Sequence, residues 1–152
     1  MTLRTTPDGI RLCSWPVREI ELLYGKEWVK KDAVAAPGTP VRLEGQRETY
    51  DIWATIEVQT ATAVTLMVRG MAIRYDVVGK TLTCDGRSAP LAMRDGKISL
   101  RVLADRTSLE IFAADGAISM LTAAKVGGGG IEVASEGGTA RVLELRADEL
   151  WP

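Results

Sequence analysis

Histidine and asparagine are both absent from the 152-residue chain. Without imidazole there is no Ser-His-Asp or Cys-His nucleophile, no histidine general base and none of the usual zinc sites. Without asparagine there is no N-glycosylation sequon. Cysteine is scarce: Cys13 and Cys84 stand far apart, with no Cys-x-x-Cys. They could pair only if the fold brought their Cα atoms within about 7 Å. The simpler reading is two small, buried or half-buried thiols. Neither sign of charge dominates, since 19 Lys and Arg face 20 Asp and Glu. That leaves no basic field for nucleic acid or an anionic membrane. No apolar run approaches the roughly eighteen residues needed to span a bilayer. No targeting signal is visible in the opening MTLRTTPDG. A glycine tract at 127–130 follows Lys125 but is not followed by Gly-Lys-Ser/Thr, so it is not a phosphate loop.

What is present is a chain 46% apolar, long enough to bury a core, which reads as a single domain over residues 1–152. Its clearest stretch is ISLRVLADRTSLEIFAADG, residues 98–116. Ile98, Leu100, Val102 and Ala104 alternate, a polar corner Asp105-Arg106-Thr107-Ser108 interrupts, and Leu109, Ile111 and Ala113 resume. Period-two alternation marks strands with one buried face, and two such runs around a polar corner make an antiparallel hairpin. Asp115-Gly116 then turns the chain into AISMLTA, the next strand.

The same pattern recurs elsewhere. Residues 2–13 read as an opening hairpin with a Pro7-Asp8-Gly9 turn. Ile52, Ala54, Ile56 and Val58 face one way, while Asp51, Trp53, Thr55 and Glu57 face the other. Val64, Leu66 and Val68 form another strand, as do Met71, Ile73, Tyr75 and Val77 after Gly70, and Leu82 with Cys84 before Asp85-Gly86. Ile131 with Val133 and residues 140–145 finish the series. Residues 29–45, punctuated by Pro37, Gly38 and Pro40, read as loop-rich. Residues 16–24 read as one short helix, with Val17, Ile20 and Tyr24 at helical spacing, Pro16 at the first position and Gly25 as the stop. Trp15, Tyr24 and Trp28 read as a local plug around it, ahead of a sugar-stacking platform. Many short strands with Gly and Asp turns predict an all-β, two-sheet antiparallel sandwich or jelly roll.

Asp105, Arg106, Thr107, Ser108, Glu110, Phe112, Asp115 and Gly116 carry a resemblance. The stretch resembles the Asp-Arg-Ser-Ser-Val-Glu-Val-Phe-x-Asn-Asp-Gly motif in the C-terminal β-sandwich of glycoside hydrolase family 32. That family holds the levanases, inulinases and invertases. Thr107, Leu109, Ile111 and Ala114 depart from the motif. TLRTTPDGIRL, PVREIELLY, IRYD and the closing GGIEVASEGGTARVLELRADEL are similar to the same domain. The resemblance implies a lectin-like sandwich related to family 66 carbohydrate-binding modules. It implies a partner, the parent's five-bladed catalytic β-propeller, and a secreted or periplasmic parent. It implies no cofactor and no metal. The family's catalytic motifs, Trp-x-Asn-Asp-Pro-Asn-Gly, Arg-Asp-Pro and Glu-Cys, are missing; Arg94-Asp95 is followed by Gly96.

Three functions stay open: an accessory sandwich that stabilises the propeller, a module that binds fructan or terminal fructose, and an independent enzyme. Docking on a propeller requires an apolar face, through which the free domain would form a weak homodimer. Fructose recognition calls for carboxylates and guanidinium groups that take paired hydroxyls, often beside an aromatic wall. Inside the segments that resemble the family these are Asp51, Arg69, Arg74, Tyr75, Asp76, Asp105, Arg106 and Glu110. The competing reading pairs Arg106 with Glu110 to fix the hairpin corner.

Overall fold

The computed structural model describes residues 1–6, 9–45, 47–124 and 129–151. Fourteen strands run through the described residues: β1 Thr2–Thr6, β2 Gly9–Cys13, β3 Tyr24–Ala35, β4 Val41–Leu43, β5 Tyr50–Glu57, β6 Ala63–Val68 and β7 Met71–Asp76. They continue with β8 Thr81–Cys84, β9 Arg87–Pro90, β10 Lys97–Ala104, β11 Ser108–Ala113, β12 Ile118–Ala123, β13 Ile131–Glu136 and β14 Ala140–Leu150. Two six-stranded sheets have the orders β12-β11-β10-β5-β14-β3 and β4-β13-β6-β7-β8-β9, and β1-β2 form a separate two-stranded ribbon. All the pairings are antiparallel.

The period-two apolar residues meet between the sheets. Ile52, Ala54 and Ile56 of β5, Leu109 and Ile111 of β11, and Leu145 of β14 are buried with Leu66 of β6, Ile73 and Tyr75 of β7, Leu82 of β8 and Val133 of β13. Their burial is the main force holding the layers together. Polar contacts supplement it across the sandwich. Ser135 Oγ donates to the Ala35 carbonyl at 2.9 Å. Arg69 Nη1 donates to the carbonyls of Glu48 at 2.9 Å and Asp105 at 2.7 Å.

The central hairpin is as expected: Ala104 pairs with Leu109, and the Asp105 N–H donates to the Ser108 carbonyl at 2.9 Å to close the corner. Two-residue turns follow the Gly signals. Arg69-Gly70, Asp85-Gly86 and Asp95-Gly96 all have both residues at positive φ, the turn that matches the twist of a hairpin. Pro7, Asp8 and residues 125–128 lie outside the described residues, although Thr6 pairs with Gly9 as the opening hairpin requires. Cys13 and Cys84 are both buried free thiols.

The loop-rich reading and the role of Gly25 need correction. Residues 29–45 are not loop-rich, because β3 runs through Ala35 and β4 adds Val41–Leu43. The apolar alternation is missing because β3 is an edge strand, exposed over most of its length and carrying Lys26, Lys30, Lys31 and Asp32. Charge on an edge blocks pairing with further strands. The short helix is present as a 3-10 turn, Arg18–Leu23, with no buried residue. Val17 is exposed, so the helical spacing of Val17, Ile20 and Tyr24 marks no packed face. Gly25 does not stop the helix but lies inside β3, where a Cβ would collide with the Trp151 ring.

Candidate functional site

Alternation sends Asp51, Trp53 and Thr55 of β5 to the outer face of the first sheet. Register then sets Arg101 of β10 and Arg146 of β14 beside Trp53, Asp148 beside Asp51, and Phe112 beside Arg101. The chain between the ribbon and β3 crosses this face. Its Trp15 packs edge-on against Trp53 and Phe112, with ring centres 5.9 and 6.0 Å apart. Trp28 instead packs on Tyr50, 5.8 Å away, so the expected plug of Trp15, Tyr24 and Trp28 is divided between two places.

Beneath this cover lies a buried ion pair. Arg101 donates from Nε and Nη2 to Asp51 at 3.0 and 2.6 Å, and the side chains are 3% and 0% exposed. The Arg101 guanidinium lies 4.3 Å from the Trp53 ring centre, a cation–π contact strengthened by exclusion of water. Tyr24 donates its hydroxyl to Asp51 Oδ2 at 2.7 Å. Burial, with the Asp51 carboxylate second, pushes the Tyr24 hydroxyl up to about 12. Asp148 is buried next to Asp51. Burial raises its pKa against the opposing pull of Arg146. Arg146 Nε is 2.8 Å from Asp148 Oδ2, yet its N–H is poorly aligned, and neither atom has a hydrogen bond among the described residues.

The remaining residues chosen from the sequence are distributed over the molecule. Arg69 is the buried clamp between Glu48 and the Asp105 corner. Arg106 at that corner pairs with Glu48 at 3.1 Å rather than with Glu110. Asp105 is exposed, and its Oδ1 accepts the Arg106 N–H at 2.7 Å. Glu110 is exposed on the outer face of the first sheet, with Leu103 and Leu121 as cross-strand neighbours. Arg74 and Asp76 lie on the outer face of the second sheet, where Arg74 bridges Asp76 at 3.5 Å and Glu136 at 3.0 Å. Tyr75 points into the core and donates to the Leu91 carbonyl at 3.0 Å. Arg69, Asp105 and Arg106 therefore meet at one end. Asp51 and Arg74 occupy opposite faces of the sandwich.

The concave surfaces escaped the sequence reading. A cleft of about 440 Å³ opens on the outer face of the first sheet, lined in part by Trp15, Trp53, Thr55, Ser99, Arg94 and Asp115. The outward positions of Trp53 and Thr55 were visible in the alternation of β5. That the chain around Arg94 and Asp115 rises beside them was not. Among the described residues no three His, Cys, Asp or Glu side chains are placed to hold a metal ion.

The family described as glycosyl hydrolases family 32 C terminal matches residues 19–149. The chain belongs to that family. This family 32 C-terminal chain is 26% identical over 142 residues to the levanase of Bacillus subtilis (strain 168), covering 76% of this chain and 21% of the levanase. It thus spans about a fifth of the length of that curated relative. Its fold is that of part of the exo-inulinase of Aspergillus awamori, with a TM-score of 0.82 and 17% identity over 99% of this chain and 34% of that one. Fructan 1-exohydrolase IIa of Cichorium intybus is also similar, with a TM-score of 0.76 and 16% identity over 97% of this chain and 40% of that one.

Proposed function

We propose that this family 32 C-terminal chain is the non-catalytic accessory sandwich of a fructan- or sucrose-hydrolysing glycosidase, docking on a five-bladed propeller and stabilising it. The observation that carries the reading is the β1–β2 ribbon. Leu3 pairs with Leu12 and Thr5 with Ile10, so Leu3, Ile10 and Leu12 share one face. They are 73%, 74% and 61% exposed. A two-stranded hairpin is marginal by itself in water, and a bare apolar face marks a surface that is covered in use. The named relatives are fructan-acting enzymes in which the matching region is a minority of the chain, which supplies a partner of the right kind. A second reading, fructan binding, is favoured by the indole-walled cleft.

The docking test is co-production of this chain with the catalytic propeller of the parent β-fructosidase. The two should co-elute, and the propeller should melt several degrees higher in the complex. Leu3→Lys with Leu12→Lys should abolish co-elution. Separate elution of the unaltered chain rejects the docking role.

A further inference from the structure

We propose that the free edge of β12, with the groove that opens beside it, is a docking site for an extended, acidic segment of another polypeptide, which adds to the six-stranded first sheet as a further strand. The site uses the ribbon face opposite Leu3, Ile10 and Leu12, and it stands or falls separately from docking on the propeller.

Four strands end the two sheets: β12 and β3 on the first, β4 and β9 on the second. Three of them are blunted. β3 carries Lys26, Lys30, Lys31 and Asp32, β4 has only three residues, and β9 ends on Pro90. Charge, short length and proline each discourage further pairing. β12 has none of these: Ile118-Ser119-Met120-Leu121-Thr122-Ala123 runs six residues without a charge or a proline.

The backbone of β12 is set to pair. The Ala124 N–H donates to the Thr107 carbonyl at 2.8 Å, so by alternation Ile118, Met120 and Thr122 turn their N–H and C=O groups toward β11. Ser119, Leu121 and Ala123 turn theirs to the open edge, where no strand pairs with them among the described residues. An extended polypeptide satisfies such a row, because its own backbone groups alternate in step. A sugar or a lipid offers no matching series.

Charge selects the kind of segment. A groove of about 550 Å³ lies at the start of this edge, lined in part by Thr6 and Arg11 of the ribbon, Pro90, Arg94, Ile118 and Ser119. Among the described residues its lining holds these two arginines and no carboxylate. Arg94 is paired with Asp115 at 2.9 Å, whereas Arg11 stands directly opposite Arg4 across the ribbon, both exposed. Like charges so placed repel, and a carboxylate laid beside them turns repulsion into charge-assisted hydrogen bonds. A second copy of β12 has no carboxylate to offer, which favours a foreign acidic strand over self-pairing.

The experiment titrates the full chain with a fluorescein-labelled peptide, Thr-Val-Glu-Val-Glu-Val-Thr, by fluorescence anisotropy, and follows backbone amide exchange by NMR. Period two puts both glutamates on one side of the strand. The peptide is expected to bind and to slow exchange of the Ser119 and Leu121 amides about tenfold. The same peptide with Gln for both Glu, or with Pro for the central Val, should bind about tenfold more weakly. Arg11→Gln should weaken binding about tenfold. Ser119→Pro, which removes an N–H turned away from β11, should do the same. Should Ser119→Pro fold poorly, Arg11→Gln at its exposed position carries the test. Arg74→Ala, on the outer face of the second sheet, should bind like the parent. The proposal is overturned by no binding, by equal binding of the Gln or Pro peptide, by edge and groove variants that bind like the parent, or by binding lost in Arg74→Ala. It is also overturned if the Ser119 and Leu121 amides become protected without peptide as the protein is concentrated, which would make a second copy the occupant. Docking on the propeller is read by co-elution, so either idea can fail without the other.

Discussion

At the scale of single residues, the buried charges on the outer face of the first sheet dominate. Both Asp51 oxygens are engaged by Arg101, and Oδ2 also accepts from Tyr24. Removing one partner of a buried pair strands the other without water. Asp51→Ala is therefore expected to cost about 3–5 kcal/mol in chemical denaturation. Glu110, also chosen from the sequence, is exposed. Glu110→Ala should stay within about 0.5 kcal/mol of the parent in the same assay. Asp148 makes stability depend on pH in an unusual direction. Its folded pKa is raised above the ordinary 3.8 by burial, so the folded state holds the proton more tightly than the unfolded chain does. Its contribution is fully present below about pH 4 and is lost as pH rises through the folded value. Melting temperatures measured from about pH 3 to pH 7 should show Asp148→Asn gaining on the parent as pH rises. A constant difference would show that Asp148 does not titrate differently in the folded state.

At the scale of elements, turns and edges decide what forms where. The turns at Gly70 and Asp85-Gly86 are legible because glycine accepts positive φ at the second turn position; Asp95-Gly96 makes the same turn without having been singled out from the sequence. β3 is not legible, since an edge strand exposed over most of its length shows little apolar alternation and its charges resemble those of a loop. Gly116 belongs to this scale because it lets two elements touch. Gly116→Ala would place a methyl group against the Ser14 carbonyl at a positive φ. A loss of about 1–3 kcal/mol is expected. A shift in tryptophan emission should accompany it as Trp15 lifts from Trp53. An unchanged spectrum would show that Trp15 is held by its ring contacts alone.

At the scale of the whole molecule, the bare face of the ribbon sets the behaviour of the free chain. Leu3, Ile10 and Leu12 are exposed and available to a second copy of the chain. Sedimentation velocity should show weak, concentration-dependent dimerisation that Leu12→Lys removes. A strict monomer at high concentration would mean that this patch is too small to associate by itself.

The sandwich class, the central hairpin and the turns at Gly70 and Asp85-Gly86 were written in the sequence, because period-two alternation and glycine turns are local patterns that a few neighbouring residues suffice to encode. Membership in family 32 was legible for a similar reason, through the contiguous run from Asp105 to Gly116. The partners of charged residues were decided only by the tertiary structure. Arg101 and Asp51 are 50 positions apart and meet because β10 pairs with β5. Arg106 finds Glu48 rather than its nearer neighbour Glu110. The cleft likewise exists only where Trp15, the outward side chains of β5 and β10, and the Arg94 and Asp115 turns converge. Ionic pairing and concavity depend on strand order and register, which long-range packing selects, and no short stretch of sequence specifies either.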